Sequence, residues 1–380
     1  MGERGPRSVA VVSQRFVSSE PTGIDRYGRE IVRGLVDRGV GVRLVGPQER
    51  RDPIPGGDPS WVPDGVEIHR VPGPRDLVYL AWMTARRPLV DRWTGPVDLV
   101  HQILPLFPLP TRRPLVVTVH DLVPVIRPDW YSRQSRIAHA RGFRGLAAAD
   151  AVIAVSSWTA DHVRELPWVD PARVHVVQQG VSSRFAPPAP AAEVEAACAA
   201  AGVEPGGFDL FVGQPTPRKN MGVLVEGLAR AAHPVPLVLA GPPHPSTEAL
   251  LERARDLGVE HLLRIIGFVS DDRLHALFHS ARALLHPCAH EGFGLTPLEA
   301  MTAGLPVVVA DAGALPEGVG DAALRCGPDD AEAWGDAIDR LADDDLRADL
   351  RARGLRRAAT FDWATTVDRT LDVYRAVLGA

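Results

Sequence analysis

The chain has 380 residues, 45% of them hydrophobic and 23% charged, too long for one small core and balanced as ordinary globular proteins are. Two domains are the expectation. Its 47 acidic residues against 42 basic ones leave a formal net charge of -5, so there is no global basic field to collect nucleic acid.

Three cysteines, Cys198, Cys288 and Cys326, are too few and too widely spaced for a disulfide framework or a Cys-x-x-Cys metal knuckle, and they suit a reducing cytoplasm. The N-terminus runs through Glu3, Arg4, Pro6 and Arg7 into Val9–Val12, which is too short for a signal-peptide core. No segment approaches the roughly 20 apolar residues of a membrane span. A cytoplasmic protein, neither exported nor integral, is expected.

In chain order, strand-like runs at Val9–Val12, Val42–Val45, Leu99–Val100, Leu115–Val119, Ala151–Val155 and Val174–Val177 alternate with helix-length stretches, the signature of a parallel α/β sheet. After Gly180 the segment Val181–Pro190 is rich in Pro and Ala and reads as a connector. The segment Ala189–Ala201 then reads as ordinary helix-forming sequence. A second series follows at Leu210–Val212, Leu237–Ala240, Arg264–Ile266, Ala283–Leu285 and Val307–Val309, with helical patterns at Met221–Ala232 and Arg273–Ser280. Residues 362–380 form a last helical stretch with Trp363, Val367, Leu371, Tyr374 and Leu378 on one face. Two doubly wound sheets facing one another predict a cleft lined by the loops after the strands, where such sheets bind ligands.

Four βα loops carry candidate chemistry. After Ala283–Leu285 comes Glu291-Gly292-Phe293-Gly294-Leu295-Thr296-Pro297-Leu298-Glu299. Here Thr296 reads as an N-cap, Pro297 as the first helical residue and Glu299 as the third, a capping box. Amides from Gly294 onward would favour a phosphate at the helix tip, and the two carboxylates accept from sugar hydroxyls. The plainer account is that Glu299 closes the capping box and Glu291 decorates a loop. After Leu210–Val212 comes Gly213-Gln214-Pro215-Thr216-Pro217-Arg218-Lys219-Asn220. Its adjacent cations are suited to a departing diphosphate, and Lys219 is the only lysine among the 42 basic residues, so a compact point charge is favoured at this place. A solvated pair is the alternative.

After Leu115–Val119 come His120 and Asp121; His120 reads either as a hydrogen-bond partner or charge carrier for a sugar, or as a structural imidazole. His101 carries a weaker form of the same reading. After the first strand, Pro21-Thr22-Gly23-Ile24-Asp25-Arg26-Tyr27 opens a helix, where Gly23 lets a ligand approach the backbone or simply starts the helix. His286, Cys288 and His290 alternate before Glu291, but no fourth metal ligand is apparent and no metal is expected. Asp343–Asp345 reads as a solvated face. Arg133, Arg136, Arg141 and Arg144 share one helical face, either solvated or in weak peripheral contact with anionic lipid at the inner membrane.

Together Gly267-Phe268-Val269-Ser270, the Glu291 to Glu299 segment, Ala303-Gly304-Leu305-Pro306-Val307-Val308, Pro316-Glu317 and Gly320-Asp321-Ala322-Ala323 resemble glycosyltransferase family 4. The likeness extends over nearly the whole chain, since Gly23–Tyr27, His120-Asp121, Val155-Ser156-Ser157 and Arg218-Lys219-Asn220 fall in the family's order. The chain carries a single glycine at Gly23 where the family often has two, and Gln179-Gly180 where it commonly has Asn-Gly. The resemblance implies the GT-B architecture: a Rossmann-like acceptor-side domain over 1–182, a Rossmann-like donor domain over 183–361, and a helix over 362–380 packed back on the first.

It also implies retaining, metal-independent transfer of a hexose-type sugar from a nucleotide diphosphate, UDP- or GDP-sugar favoured, with no cofactor. The acceptor would be a hydroxyl of a saccharide, lipid-linked or cyclitol molecule. By the same resemblance Arg218 and Lys219 hold the diphosphate with amides of Phe293, Gly294, Leu295 and Thr296. Glu291 contacts the transferred sugar, Glu299 the ribose, and His120 the sugar from the other domain. A nucleotide-sugar epimerase of the same fold and a non-catalytic nucleotide-sugar-binding protein are the other readings.

Overall fold

The computed structural model describes residues 5–13, 23–48 and 61–379. Glu3, Arg4, Pro21 and Thr22, which entered the sequence reading, lie outside them. Internal contacts divide the chain into two units, Met1–Gly180 with Asp362–Ala380, and Val181–Phe361.

The first unit holds β1 (Ser8–Val12), α1 (Gly23–Asp37), β2 (Gly41–Gln48), β3 (Glu67–Pro74), β4 (Leu99–Gln102), β5 (Leu115–Val119), α2 (Arg133–Arg144), β6 (Ala151–Ala154) and β7 (Val174–Val176). Its strands form one sheet in the order β3-β2-β1-β4-β5-β6-β7, paired in parallel. β4, β5 and β6 are buried along their whole length. A parallel strand covered by helices on both faces reads as an unbroken apolar run, which is why these central strands were legible locally.

The second unit holds β8 (Asp209–Val212), α3 (Met221–Arg230), β9 (Leu237–Ala240), β10 (Leu263–Gly267), β11 (Ala283–His286), α4 (Leu295–Thr302), β12 (Val307–Ala310) and β13 (Leu324–Cys326). These strands form a second parallel sheet, ordered β10-β9-β8-β11-β12-β13. Chain order reverses between β8 and β11, the kind of switch point at whose carboxyl ends such sheets bind ligands. At the other end, buried Asp209 receives a bidentate pair from Arg282, 2.9 and 2.6 Å, fastening the same two strands together.

Two strands were not foreseen. β3 buries only Val71 and carries Pro72 and Pro74, while β13 is three residues long. Both lie at sheet edges, where one side of the strand has no neighbour and Pro is tolerated, so neither shows a sustained apolar run.

The last helix, α5 (Trp363–Leu378), belongs to the first unit. Val367 packs so closely on Gly34 of α1 that a β-carbon there would come within 2.3 Å of Val367 Cγ2. Beneath it runs a buried polar chain. His101 Nδ1 is hydrogen-bonded to the Tyr374 hydroxyl at 2.6 Å and His101 Nε2 to the Thr118 hydroxyl at 2.7 Å, and Thr118 reaches the Tyr27 hydroxyl at 3.2 Å. His101 is fully buried with both ring nitrogens engaged, which corrects its reading as a sugar contact: it joins β4, β5, α1 and α5. Burial, reinforced by neighbouring His120, pushes its pKa down to about 3.

Two outcomes follow for stability. Gly34→Ala gains about 1 kcal/mol of helix propensity but forces Val367 to move, at about 1–3 kcal/mol, so urea denaturation should show net destabilisation. For His101, the ring is neutral in both states above about pH 6.5. Between that pH and about 3 the unfolded chain binds a proton that the folded chain refuses. Stability should therefore fall with acidification by about 1.4 kcal/mol per pH unit from this ring, and His101→Asn should flatten that slope; an unchanged slope contradicts the burial.

Candidate active site

The switch point of the second sheet gathers Arg218, Lys219 and Glu291. The loop leaving β8 makes a short 3-10 turn, Pro217–Lys219, closed by Asn220 in the left-handed region at φ 49°. Asn220 Nδ2 donates to the Pro328 carbonyl at 2.5 Å, anchoring the turn before α3 starts. That geometry sends Arg218 and Lys219 toward the loop that leaves β11. The two loops are also joined directly, Ala289 N donating to the Arg218 carbonyl at 3.1 Å.

One carboxylate oxygen is the meeting point. Glu291 Oε2 receives Arg218 Nη1 at 2.8 Å, Lys219 Nζ at 3.3 Å and the Cys288 thiol at 2.8 Å, while His286 Nε2 stands 3.9 Å away. The Glu291 side chain is only 18% exposed. Burial alone would raise its pKa, but Arg218 and Lys219, with His286 behind them, hold it well below the usual carboxylate range. The carboxylate is therefore ionised, and one negative charge shared by two cations leaves the trio with net positive charge. Burial and nearby Lys219 push His286 down to about 4, so its ring is neutral at pH 7. Burial and the Glu291 carboxylate push the Cys288 thiol up to about 12.

The rest of the loop differs from expectation in one respect. The capping box does not form: α4 begins at Leu295, with Gly294 as its N-cap at φ 95°. That left-handed turn, inexpensive only for glycine, starts the helix earlier than a Thr296 cap would. Thr296 and Pro297 thus sit inside the first turn, where Pro297 has no N–H to waste, and Glu299 lies beyond it, 9% exposed. Phe293 turns its side chain inward, edge-on to Phe361 at 5.7 Å, so any ligand contact from it is through the backbone. Ala314 N donates to the Glu291 carbonyl at 2.9 Å, steadying the loop from the β12 side.

His120 and Gly23 belong to the first unit. His120, after β5, is 8% exposed and packs edge-on against Tyr27 at 4.9 Å. Its Nε2 lies 3.2 Å from the Ile103 carbonyl, which only accepts, so Nε2 carries the proton and Nδ1 the lone pair. Burial pushes its pKa down to about 4. A neutral ring of this tautomer accepts a hydrogen bond from a hydroxyl and does not carry charge at pH 7. Gly23 is the exposed first residue of α1. Asp121 Oδ1 accepts from Val123 N, and Asp343 caps the helix that starts at Asp344. The placement of Cys288 and His286 against Glu291 was missed by a reading that looked for four ligands in sequence; the His-x-Cys-x-x-Glu spacing was the available signal.

Residues 204–357 match the family model described as Glycosyl transferases group 1, and residues 21–185 that described as Glycosyltransferase Family 4. The D-inositol 3-phosphate glycosyltransferase of Acidothermus cellulolyticus is 30% identical, the match covering 98% of this chain and 91% of that protein. O-antigen chain mannosyltransferase B of Escherichia coli is also 30% identical, over 71% of this chain and 73% of its own. Among solved structures, Anabaena HepE in complex with UDP and glucose superposes with a TM-score of 0.74 at 20% identity, covering 96% of this chain and 98% of that one. With two parallel α/β sheets, both family models in tandem and relatives matched over most of their length, the chain belongs to the GT-B glycosyltransferases of family 4.

Proposed function

We propose that this glycosyltransferase carries out retaining, metal-independent transfer of a hexose-type sugar from a UDP- or GDP-sugar to a hydroxyl of a saccharide, lipid-linked or cyclitol acceptor. The observation that carries the reading is the convergence of Arg218 and Lys219 on Glu291 at the switch point of the second sheet. A diphosphate brings more negative charge than one carboxylate and competes for both cations. It is further favoured by the amide-bearing tip of α4. Support for the donor class comes from HepE, solved with UDP and glucose, and for the acceptor class from the relatives' names.

In this reading Glu291, released from the cations by the phosphates, accepts hydrogen bonds from hydroxyls of the transferred sugar, and Glu299 from the ribose. Gly23 lets the donor approach the first unit's backbone, and His120 Nδ1 accepts from a sugar hydroxyl. The bond from the anomeric carbon to the phosphate oxygen breaks as the acceptor oxygen bonds to the same face. The acceptor's proton passes to that leaving phosphate oxygen. Arg218 and Lys219 stabilise the growing charge in place of a divalent ion, and no cofactor takes part.

We further propose weak peripheral membrane contact through α2, whose exposed face carries Arg133, Arg136, Ile137, Arg141 and Arg144 with no acidic residue in the helix. No helix among the described residues is long and apolar enough to cross a membrane.

Lys219→Ala and Glu291→Ala should each lower kcat by about 100-fold or more, a far larger effect than their lowering of the melting temperature, with product formed only when acceptor is present. Near wild-type transfer in both variants would falsify the assignment, and donor conversion without acceptor would point to epimerisation. Phosphatidylglycerol vesicles should retain the protein at low salt and release it at high salt, whereas equal retention by neutral vesicles contradicts the arginine-face account.

A further inference from the structure

Beside the cation pair, a buried side chain stands without a hydrogen-bond partner among the described residues. His286 is 1% exposed, and both its ring nitrogens are unengaged, although buried polar atoms are nearly always satisfied. A buried donor and acceptor left unmade cost stability in this state, so the ring's use has to be sought in another. Its Nε2 stands 3.9 Å from Glu291 Oε2, beyond hydrogen-bond reach by roughly 1 Å. Cys288, two residues on, is by contrast engaged, its thiol 2.8 Å from the same Oε2.

In the proposed transfer a diphosphate takes Arg218 and Lys219. Glu291, whose side chain is only 18% exposed, then loses both charge partners and gains negative charge beside it. Burial raises its pKa, a tendency that the two cations oppose in the ligand-free chain. Without them the carboxylate takes up a proton unless another donor meets it, and protonation removes part of its capacity to accept from sugar hydroxyls. The donors behind it are neutral: the Cys288 thiol, which is weak, and the His286 ring. His286 ends β11 and is held in register with Val309 of β12, while Ala314 N holds the backbone of Glu291 at its carbonyl. Rotation of the Glu291 side chain is therefore the motion that closes the gap.

We propose that His286 is a positioning residue for the transfer: when a nucleotide diphosphate takes Arg218 and Lys219, the Glu291 carboxylate turns onto His286 Nε2–H and is held there, ionised, with its second oxygen left for the hydroxyls of the transferred sugar. The inference rests on the transfer reading and deepens it. In the ligand-free chain the carboxylate occupies the cations, and in the donor complex the imidazole occupies one oxygen of the carboxylate. Accepting from the ring fixes its tautomer, with the proton on Nε2. No covalent bond forms or breaks in this exchange, and no proton leaves either group. His286 itself touches neither donor nor acceptor; it lowers the cost of displacing Glu291 and fixes where the displaced carboxylate goes.

The test is a double-mutant cycle read by calorimetric titration of the full chain with whichever of UDP and GDP the wild type binds more tightly. His286→Leu should weaken nucleotide binding at least about fivefold in the wild-type background. In the Glu291→Gln background, where there is no charge to relocate, it should change nothing. His286→Gln, whose amide N–H reaches the place of Nε2–H, should bind as the wild type does. Equal weakening by His286→Leu in both backgrounds is a structural effect and overturns the proposal. If Lys219→Ala weakens binding and His286→Leu does not, this inference alone fails, whereas an unaffected Lys219→Ala removes the displacement and the transfer reading with it. Circular dichroism checks folding. Should His286→Leu not fold, the wild-type chain labelled with 15N-histidine decides: nucleotide should bring up a low-field ring N–H signal that His286→Gln lacks, and no new signal overturns the proposal.

Discussion

The organisation of the second unit turns on a single charge relationship, two cations sharing one buried carboxylate oxygen. Arg218 and Lys219 approach Glu291 from a different loop, and none of the three is well solvated. A carboxylate so placed stays ionised only while positive charge is near, and the cations remain buried at tolerable cost only while negative charge is near. The trio is self-consistent without ligand and still leans toward further negative charge. In the proposed function a nucleotide diphosphate displaces Glu291 from the cations and sets it to work elsewhere.

Strand order and a few anchoring hydrogen bonds hold this arrangement. β8 and β11 lie side by side because the sheet reverses its order there. The Asp209–Arg282 pair fixes them at the far end, and Ala289 N to the Arg218 carbonyl fixes them at the near one. Asn220 and Gly294, both in the left-handed region, end the two loops and start the two helices. The site thus sits on rigid strands with short connections, and its charges are positioned before any ligand arrives. The first unit uses a different device: a buried chain of hydroxyls and imidazole that ties the last helix of the sequence to the sheet near its beginning.

The central strands and the loops after them could be read from local pattern, because strands buried on both faces leave unbroken apolar runs and loops at their ends are punctuated by Gly and Pro. The edge strands β3 and β13 left no such trace. Lys219 stood out as the single lysine of an arginine-rich chain, yet that it meets Glu291 depends on β8 and β11 being neighbours, which no local window contains. The helix start misled for a related reason: Thr-Pro-x-Glu satisfies a capping box, but the tertiary turn at Gly294 preceded it. His101 looked like His120, both near strand ends, and only the packing of α5, whose Tyr374 engages His101 Nδ1, separates the fully buried imidazole from the one that keeps 8% exposure. The likeness to a known family supplied the rest, and it carries roles for residues such as Glu299 that the geometry alone does not assign.

The displacement of Glu291 by phosphate is most directly tested by calorimetric titration of UDP or GDP into three forms of the full chain. If the cations hold the diphosphate and Glu291 merely occupies them in its absence, Lys219→Ala should weaken nucleotide binding at least about tenfold, a loss of about 1.4 kcal/mol. Glu291→Gln should bind as tightly as wild type or more tightly. Equal weakening in both variants, or an unaffected Lys219→Ala, would contradict the account.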